Sequence, residues 1–359
     1  MKHLLKLQDL SKAEIIDILN LADQLKFERK NNIPHPILQG KTLGMIFQKS
    51  STRTRVSFEA GMYQLGGNAL FLSNRDLQIG RGELVQDTAR VLSRYIDAIM
   101  IRTYSQDEVE YLAEYGTIPV INGLTDYAHP CQVLADLMTI REIKGGFHGR
   151  KLAFIGDGNN MANSLIVGCI KVGMSIAIGC PKAYMPDSEI VAWAKENGDF
   201  TCTEDIFEAA KGADAVYTDV WASMGQEEES QKRRRDFAGY CVDDKLMSYA
   251  KEDAMVPVSY THLDVYKRQL ADFMTKKGVP FRDAYKLVGE IVAKCIEEKL
   301  TLDELPLDEY RKFSPVFDES LYNEISLDTC VRRRISYGGT SPESVIRQCD
   351  YIEEFLKNV

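Results

Sequence analysis

Ser50 to Arg55, in the order SSTRTR, follow an apolar run and open a helical one, and they have the composition of an anion cradle. Hydroxyls and backbone N–H groups at a helix start present donors to an anion. Arg53 and Arg55 add guanidiniums that grip phosphate oxygens two at a time. A Ser/Thr helix start alone is usually no more than a cap. Two arginines interleaved with it, directly behind a buried strand, turn the reading towards phosphate. Further on, DYAHPCQVLAD places His129 and Gln132 at another helix start. A neutral imidazole there can donate to a carbonyl and polarise it, and a glutamine one turn later can read an amide. Arg102 ends the apolar run DAIMIR, where an inward guanidinium can stabilise an oxyanion. In the second half, GDGNNMANS lacks the third glycine of the dinucleotide fingerprint. Asn159 and Asn160 there suit a zwitterion instead. YTDVWASMGQEEE places Asp219 at a strand end, able to pair with an ammonium, with Ser223 and Met224 on the following turn. Glu227–Glu229 reads as a solvated helix start.

These residues need elements to hold them. A helix is expected from Ser11 to about Lys30, with Ser11 as N-cap and Glu14 three residues on, a capping-box pattern. KTLGMIF, DAIMIRT and TIPVING read as buried strands, and HPCQVLADLMTIREI as an amphipathic helix. KLAFIGDG, MSIAIGC and DAVYTDVW are strands alternating with helices. This rhythm implies an α/β protein with two doubly wound parallel-sheet domains and ligand loops after the strands. Their boundary is expected at Gly145–Gly146. After Gln269 the pattern is all helical: a pair broken at Gly278–Pro280, then SLDTCVRRRI and SPESVIRQCDYIEEFLK. The second sheet is thereby left short of its last strands.

Composition narrows the partners. A net charge of −9 argues against nucleic acid or an anionic membrane, while leaving room for a local basic pocket. Eight cysteines without a CxxC pair suit free thiols in a reducing compartment. The N-terminal stretch carries acids within its apolar spacing, so it reads as a surface helix rather than a signal peptide, and no stretch has the length of a membrane span. A cytoplasmic protein is expected.

In this order, STRTR, HPCQ, DGNN and DVWASMG resemble the aspartate/ornithine carbamoyltransferase family, over residues 1–256. The resemblance implies a carbamoyl-phosphate domain (1–146) and an amino-acid domain (147–257). Ser51, Thr52, Arg53 and Thr54 would hold the phosphate. Arg102, His129 and Gln132 would engage the carbamoyl group, and Asn160, Asp219, Ser223 and Met224 would bind L-ornithine. Arg102, His129 and Asp219 would be the catalytic residues. Gln78 resembles the residue that reaches a neighbouring subunit's carbamoyl-phosphate site, which implies a homotrimer. No metal or cofactor is implied. SMG with DGNN favours ornithine over aspartate, whose second carboxylate wants cations; putrescine or a modified ornithine is less excluded. The family pattern continues with an HCLP loop, whose cysteine contacts ornithine, and a C-terminal helix with an arginine for carbamoyl phosphate. Neither occurs in this sequence.

Instead VSYTHLDVYKRQ, residues 258–269, follows. Leu263 to Arg268 back-translate to CTA GAT GTG TAT AAG AGA, whose opposite strand, in a shifted frame, encodes Ser259 to Leu263. The peptide is therefore encodable by a head-to-head inverted repeat, and it resembles the translation of two joined transposon-end adaptors used in sequencing libraries. It also lacks the Gly and Pro usual in linkers. Beyond it, LADFMTKKGVPFRDAYKLVG, FSPVFDESLY and RRRISYGGTSPESV resemble the argininosuccinate lyase C-terminus, over 270–359. That family's catalytic loop and lysine lie upstream of this segment, so no lyase site carries over. The sequence supports three readings: a carbamoyltransferase, a non-catalytic chimera of two arginine-pathway genes, and, least favoured, a bifunctional protein.

Overall fold

The computed structural model describes residues 2–74, 77–78, 82–219, 230–256, 270, 273–274, 277–279, 287–292, 294–295, 302 and 305–324. The chain forms two compact units, Met1–Ser259 and Tyr260–Val359.

The first unit begins with α1 (Lys12–Lys30), started by the expected capping box: Ser11 accepts from the Glu14 N–H while the Glu14 carboxylate accepts from the Ser11 N–H. A sheet of β1 (Thr42–Phe47), β2 (Asn68–Ser73), β3 (Ala98–Arg102) and β4 (Val120–Leu124) follows. It interleaves with α2 (Thr52–Gln64), α3 (Val85–Leu92) and α4 (Gln106–Tyr115). All strands are parallel, in the order β2-β1-β3-β4. Then α5 (Pro130–Lys144) ends on Gly145, whose left-handed φ of 76° is a glycine C-cap.

The second sheet has the order β7-β6-β5-β8, again parallel, from β5 (Lys151–Ile155), β6 (Ser175–Gly179), β7 (Phe200–Thr203) and β8 (Ala215–Thr218). Around it lie α6 (Asn160–Val172), α7 (Ser188–Asn197), α8 (Ile206–Ala210), α9 (Ser230–Asp236) and α10 (Asp244–Met247). The near-continuous burial of β1, β3, β5 and β6 is what helices on both faces of a parallel sheet require. A core of Leu7, Ile15 and Leu19 with Val133, Leu137, Leu165, Ile166, Phe154 and Tyr217 joins α1, α5 and α6 to the second sheet. At the free edge of β8, Met255 makes one parallel bridge to Ala215. The described part of the first unit ends one residue later, at Val256.

In the second unit Leu270, Phe273, Met274, Val288, Ile291, Tyr310, Phe317 and Leu321 share a separate apolar core. Phe273 stacks on Phe317, and the Tyr310 hydroxyl donates to the Leu302 carbonyl at 2.6 Å. Helices α11 (Leu307–Phe313) and α12 (Ser320–Glu324) belong to it. The expected helices at SLDTCVRRRI and SPESVIRQCDYIEEFLK lie outside the described residues.

Candidate active site

A doubly wound sheet opens a crevice at the carboxyl ends of its strands where the strand order reverses. In the first sheet that point lies between β1 and β3, in the second between β5 and β8. The chemistry-bearing residues fall at these two places.

At the first crevice Ser51 is the N-cap of α2, its hydroxyl accepting from the Thr54 N–H at 3.2 Å and donating to the Thr54 hydroxyl at 3.0 Å. Arg102, at the end of β3, approaches the same hydroxyl with Nη1 at 3.4 Å. The pairing of β3 with β4 slips at this point: Ile101 faces Asn122 but Arg102 faces Leu124. Such a bulge re-aims the strand end, and Gly123, the extra residue, has no room for a side chain because a Cβ would meet Met100 Sδ at 2.7 Å. The loop after β1 is tied to the same strand end, the Gln48 N–H donating to the Arg102 carbonyl at 2.9 Å. Thr52 and Arg53 are on the first turn of α2, Thr52 exposed to solvent. Arg55 is turned away from the crevice in this conformation, over the Phe71 ring at 3.8 Å and paired with Glu59. Lys49, which the motifs did not single out, is buried beside the cradle, ion-paired with Asp126 and 4.3 Å from the Tyr104 ring centre.

His129 is the N-cap residue of α5, with Pro130 at the first helical position. Withdrawal from water, then the nearby Arg102 charge, pushes its pKa down to about 3, so the ring is neutral at any physiological pH. Its Nδ1 is buried and has no hydrogen-bond partner among the described residues. Gln132, one turn along α5, donates from Nε2 to Asp136 at 3.0 Å.

At the second crevice Asn159 caps α6, its side-chain oxygen accepting from the Met161 and Ala162 N–H groups at 2.9 and 3.3 Å. That oxygen is occupied, and the amide nitrogen faces Asp219 at 3.5 Å. Gly158 has no space for a Cβ, which would meet the backbone of Tyr184 to Pro186 at 2.2 to 2.5 Å. Asp157 in the same loop is buried against Arg233 of α9 at 2.6 Å. Asp219 is half-buried just past β8. Ser223 and Met224 lie outside the described residues. Gln78 is exposed between β2 and α3, and its described bond is a carbonyl accepting from the Glu83 N–H.

Three hydrogen bonds bring the two crevices together. Asn160 donates to the Thr125 carbonyl at 2.6 Å, Asn163 to the Tyr127 carbonyl at 3.1 Å, and the His129 N–H to the Ser164 hydroxyl at 2.8 Å. The start of α6 therefore sets the loop that carries His129. The combined crevice holds hydroxyls and a guanidinium for an anion, a neutral imidazole and an amide for a polar carbonyl compound, and a carboxylate with asparagines for an amine. Among the described residues, no group of three or more His, Cys, Asp or Glu side chains is placed to hold a metal ion.

Comparison with known proteins places the chain among characterised relatives. Residues 2–142 match the model of the aspartate/ornithine carbamoyltransferase carbamoyl-P binding domain, and 148–256 that of its Asp/Orn binding domain. Residues 269–332 match the argininosuccinate lyase C-terminal model. An ornithine carbamoyltransferase of Oceanobacillus iheyensis is 54% identical over 259 residues, 71% of this chain and 80% of that protein. One of Anoxybacillus flavithermus is 57% identical, over 71% of this chain and 82% of that protein. The solved ornithine carbamoyltransferase of Pyrococcus furiosus superposes with a TM-score of 0.70 at 50% identity, covering 73% of this chain and 85% of its own. On these grounds the chain belongs to the aspartate/ornithine carbamoyltransferase family.

Proposed function

We propose that the chain transfers the carbamoyl group of carbamoyl phosphate to the δ-amine of L-ornithine, giving L-citrulline and phosphate. The observation that carries this is the convergence of Ser51, Thr54 and Arg102 with a neutral His129, in a loop that Asn160 and Ser164 of the second sheet hold in place. Residues 1–146 supply the carbamoyl-phosphate half and 147–257 the ornithine half. Residues 258–269 are an adaptor-like junction, and 270–359 the segment that resembles the argininosuccinate lyase C-terminus.

Ser51, Thr52, Arg53 and Thr54 receive the phosphate at the start of α2, where N–H groups and the helix dipole favour an anion. Arg102 and His129 donate to the carbonyl oxygen, and Gln132 meets the carbamoyl NH2. Asn160, Ser223 and Met224 seat ornithine while Asp219 pairs with an ammonium group. The uncharged δ-amine attacks the carbamoyl carbon, and the new N–C bond places negative charge on the former carbonyl oxygen. Arg102, His129 and the Thr54 hydroxyl hold that charge through the transition state. Collapse breaks the C–O bond to phosphate, which leaves with the electron pair, and the amine's surplus proton passes to the departing phosphate. Much of the acceleration comes from holding two substrates in line. Each of these steps runs on the chain's own side chains and the two substrates, without a cofactor.

Val56, Leu70, Phe71, Leu84, Val91 and Tyr95 are exposed apolar side chains on or beside α2, β2 and α3, the region that also carries Gln78. This favours a homotrimer in which Gln78 completes a neighbour's site. No helix among the described residues is long and apolar enough to cross a membrane. A cytoplasmic setting suits the described cysteines, all free thiols.

The test is to incubate the full chain with carbamoyl phosphate and, separately, L-ornithine, L-aspartate and putrescine, and to assay ureido products. Ornithine alone should react well; equal rates with putrescine would refute the amino-acid assignment. A second reading, a chimera without catalysis, is consistent with one observation: the carbamoyltransferase match ends at 256 and the lyase match starts at 269, on either side of the adaptor-like stretch.

A further inference from the structure

Asp136 sits on α5 one turn beyond Gln132 and is 7% exposed. No ion pair to it is found among the described residues, and a buried carboxylate without a cation is expensive to keep. Its surroundings are Gln132 on its own helix, Tyr217 and Asp219 at the end of β8, and the buried Cys169 of α6. An asparagine could fill the same space without a charge. What a carboxylate does and an amide does not is accept only. A glutamine amide facing it must turn its NH2 towards it, and the observed bond is of that kind, Gln132 Nε2 to Asp136 Oδ1 at 3.0 Å. The oxygen Oε1 is then the group Gln132 has left to offer.

We infer that Asp136 is a positioning residue that locks the Gln132 amide with its oxygen available to the crevice, so that the site selects a carbamoyl NH2 over an isosteric methyl group. This rests on the carbamoyl-phosphate reading and deepens it: Gln132 alone, free to flip, would present NH2 or C=O indifferently and read neither. Burial raises the Asp136 pKa to about 7, with the Asp219 charge adding to it, against the Gln132 hydrogen bond and the nearby Tyr217 hydroxyl. The ionised, accept-only form is therefore the one present in mild alkali. Once protonated, the carboxyl can donate to Oε1 and the amide is free to turn.

The experiment is calorimetry on the full chain with three stable probes: inorganic phosphate, phosphonoacetamide, and phosphonoacetone, in which a methyl replaces the NH2. At pH 8 the parent should bind the amide about five- to tenfold more tightly than the ketone, as one hydrogen bond allows. Asp136→Leu should bring that ratio below twofold while phosphate affinity stays within twofold of the parent's. Gln132→Leu should do the same, and the double variant should lose nothing further. A merely structural role would weaken all three ligands together. A ratio that survives Asp136→Leu with phosphate binding intact overturns the inference alone. A parent that binds no phosphate overturns the carbamoyl-phosphate reading beneath it. Should Asp136→Leu not fold, the parent's own ratio decides: it should fall as pH drops from 8.5 to 5.5, and a flat ratio refutes the lock. Phosphonate ionisation is common to both ligands and cancels.

Discussion

Arg102→Leu removes the one guanidinium that, among the described residues, the fold buries in the first crevice. Arg102 is 9% exposed, its Nη1 lies 3.4 Å from the Thr54 hydroxyl, and the bulge at Gly123 sets its strand end. A hydrogen bond from a charged donor contributes about 1.5–3 kcal/mol, so affinity for inorganic phosphate should fall roughly ten- to a hundredfold. Loss of one oxyanion donor costs about 3–4 kcal/mol in the transition state, so citrulline formation should fall by a factor of about 100 to 1,000. Folding should hold, since the substitution takes a charge out of a buried place. The same change touches His129. Its pKa of about 3 is set first by burial and second by the Arg102 charge. In Arg102→Leu it should rise, yet remain below the ordinary histidine value, because burial persists. Calorimetry with phosphate and NMR titration of the His129 ring check both halves. Phosphate affinity within twofold of the parent's, or a His129 pKa that does not move, would refute the placement of Arg102.

Asp136→Asn should stabilise the fold, and by more at pH 8 than at pH 4. The native pKa near 7 lies above the ordinary carboxylate value of 3.8, so the folded state holds the proton over that window and the parent loses stability as pH rises through it. Urea midpoints from pH 4 to 8 should show a gap that widens to at most about 4 kcal/mol. Asp214 behaves oppositely. It is fully buried, and although burial opposes ionisation, Lys251, the Lys151 N–H and Arg150 hold its pKa down. Asp214→Asn should cost about 1–2 kcal/mol at neutral pH, because the part-exposed Lys251 and Arg150 regain water when they lose the carboxylate, and the difference should vanish as pH falls below the ordinary carboxylate range. Gly158→Ala should depress ornithine use and lower the melting temperature, because its Cβ would meet backbone at 2.2 to 2.5 Å, with overpacking of about 1–3 kcal/mol. Phosphate binding at the first crevice should be spared.

Much of this was legible from the chain, for reasons that can be named. The buried strands β1, β3, β5 and β6 show as continuous apolar runs because helices cover both faces, and the helix starts at Ser11 and Ser51 show as capping chemistry, whereas Asn159, expected to meet a zwitterion, spends its side-chain oxygen capping α6. The edge strands β2 and β7 did not, because one side of each lacks a neighbour and exposed residues interrupt the pattern. Asp136 was invisible for a different reason: a polar residue in an amphipathic helix looks like its solvent face until β8 brings Tyr217 against it. Lys49 and Arg233 depend on partners 77 and 76 residues away, and no local pattern carries such a pairing. The hydrogen bonds from α6 to the His129 loop are likewise tertiary. Motifs located the two crevices, but only the fold joins them.

The most direct test is to supply the full chain with carbon-13-labelled carbamoyl phosphate and L-ornithine. We predict label in the ureido carbon of citrulline, with one phosphate released for each citrulline, and loss of both in Arg102→Leu and His129→Leu. Tight phosphate binding with no labelled citrulline would contradict the proposed transfer.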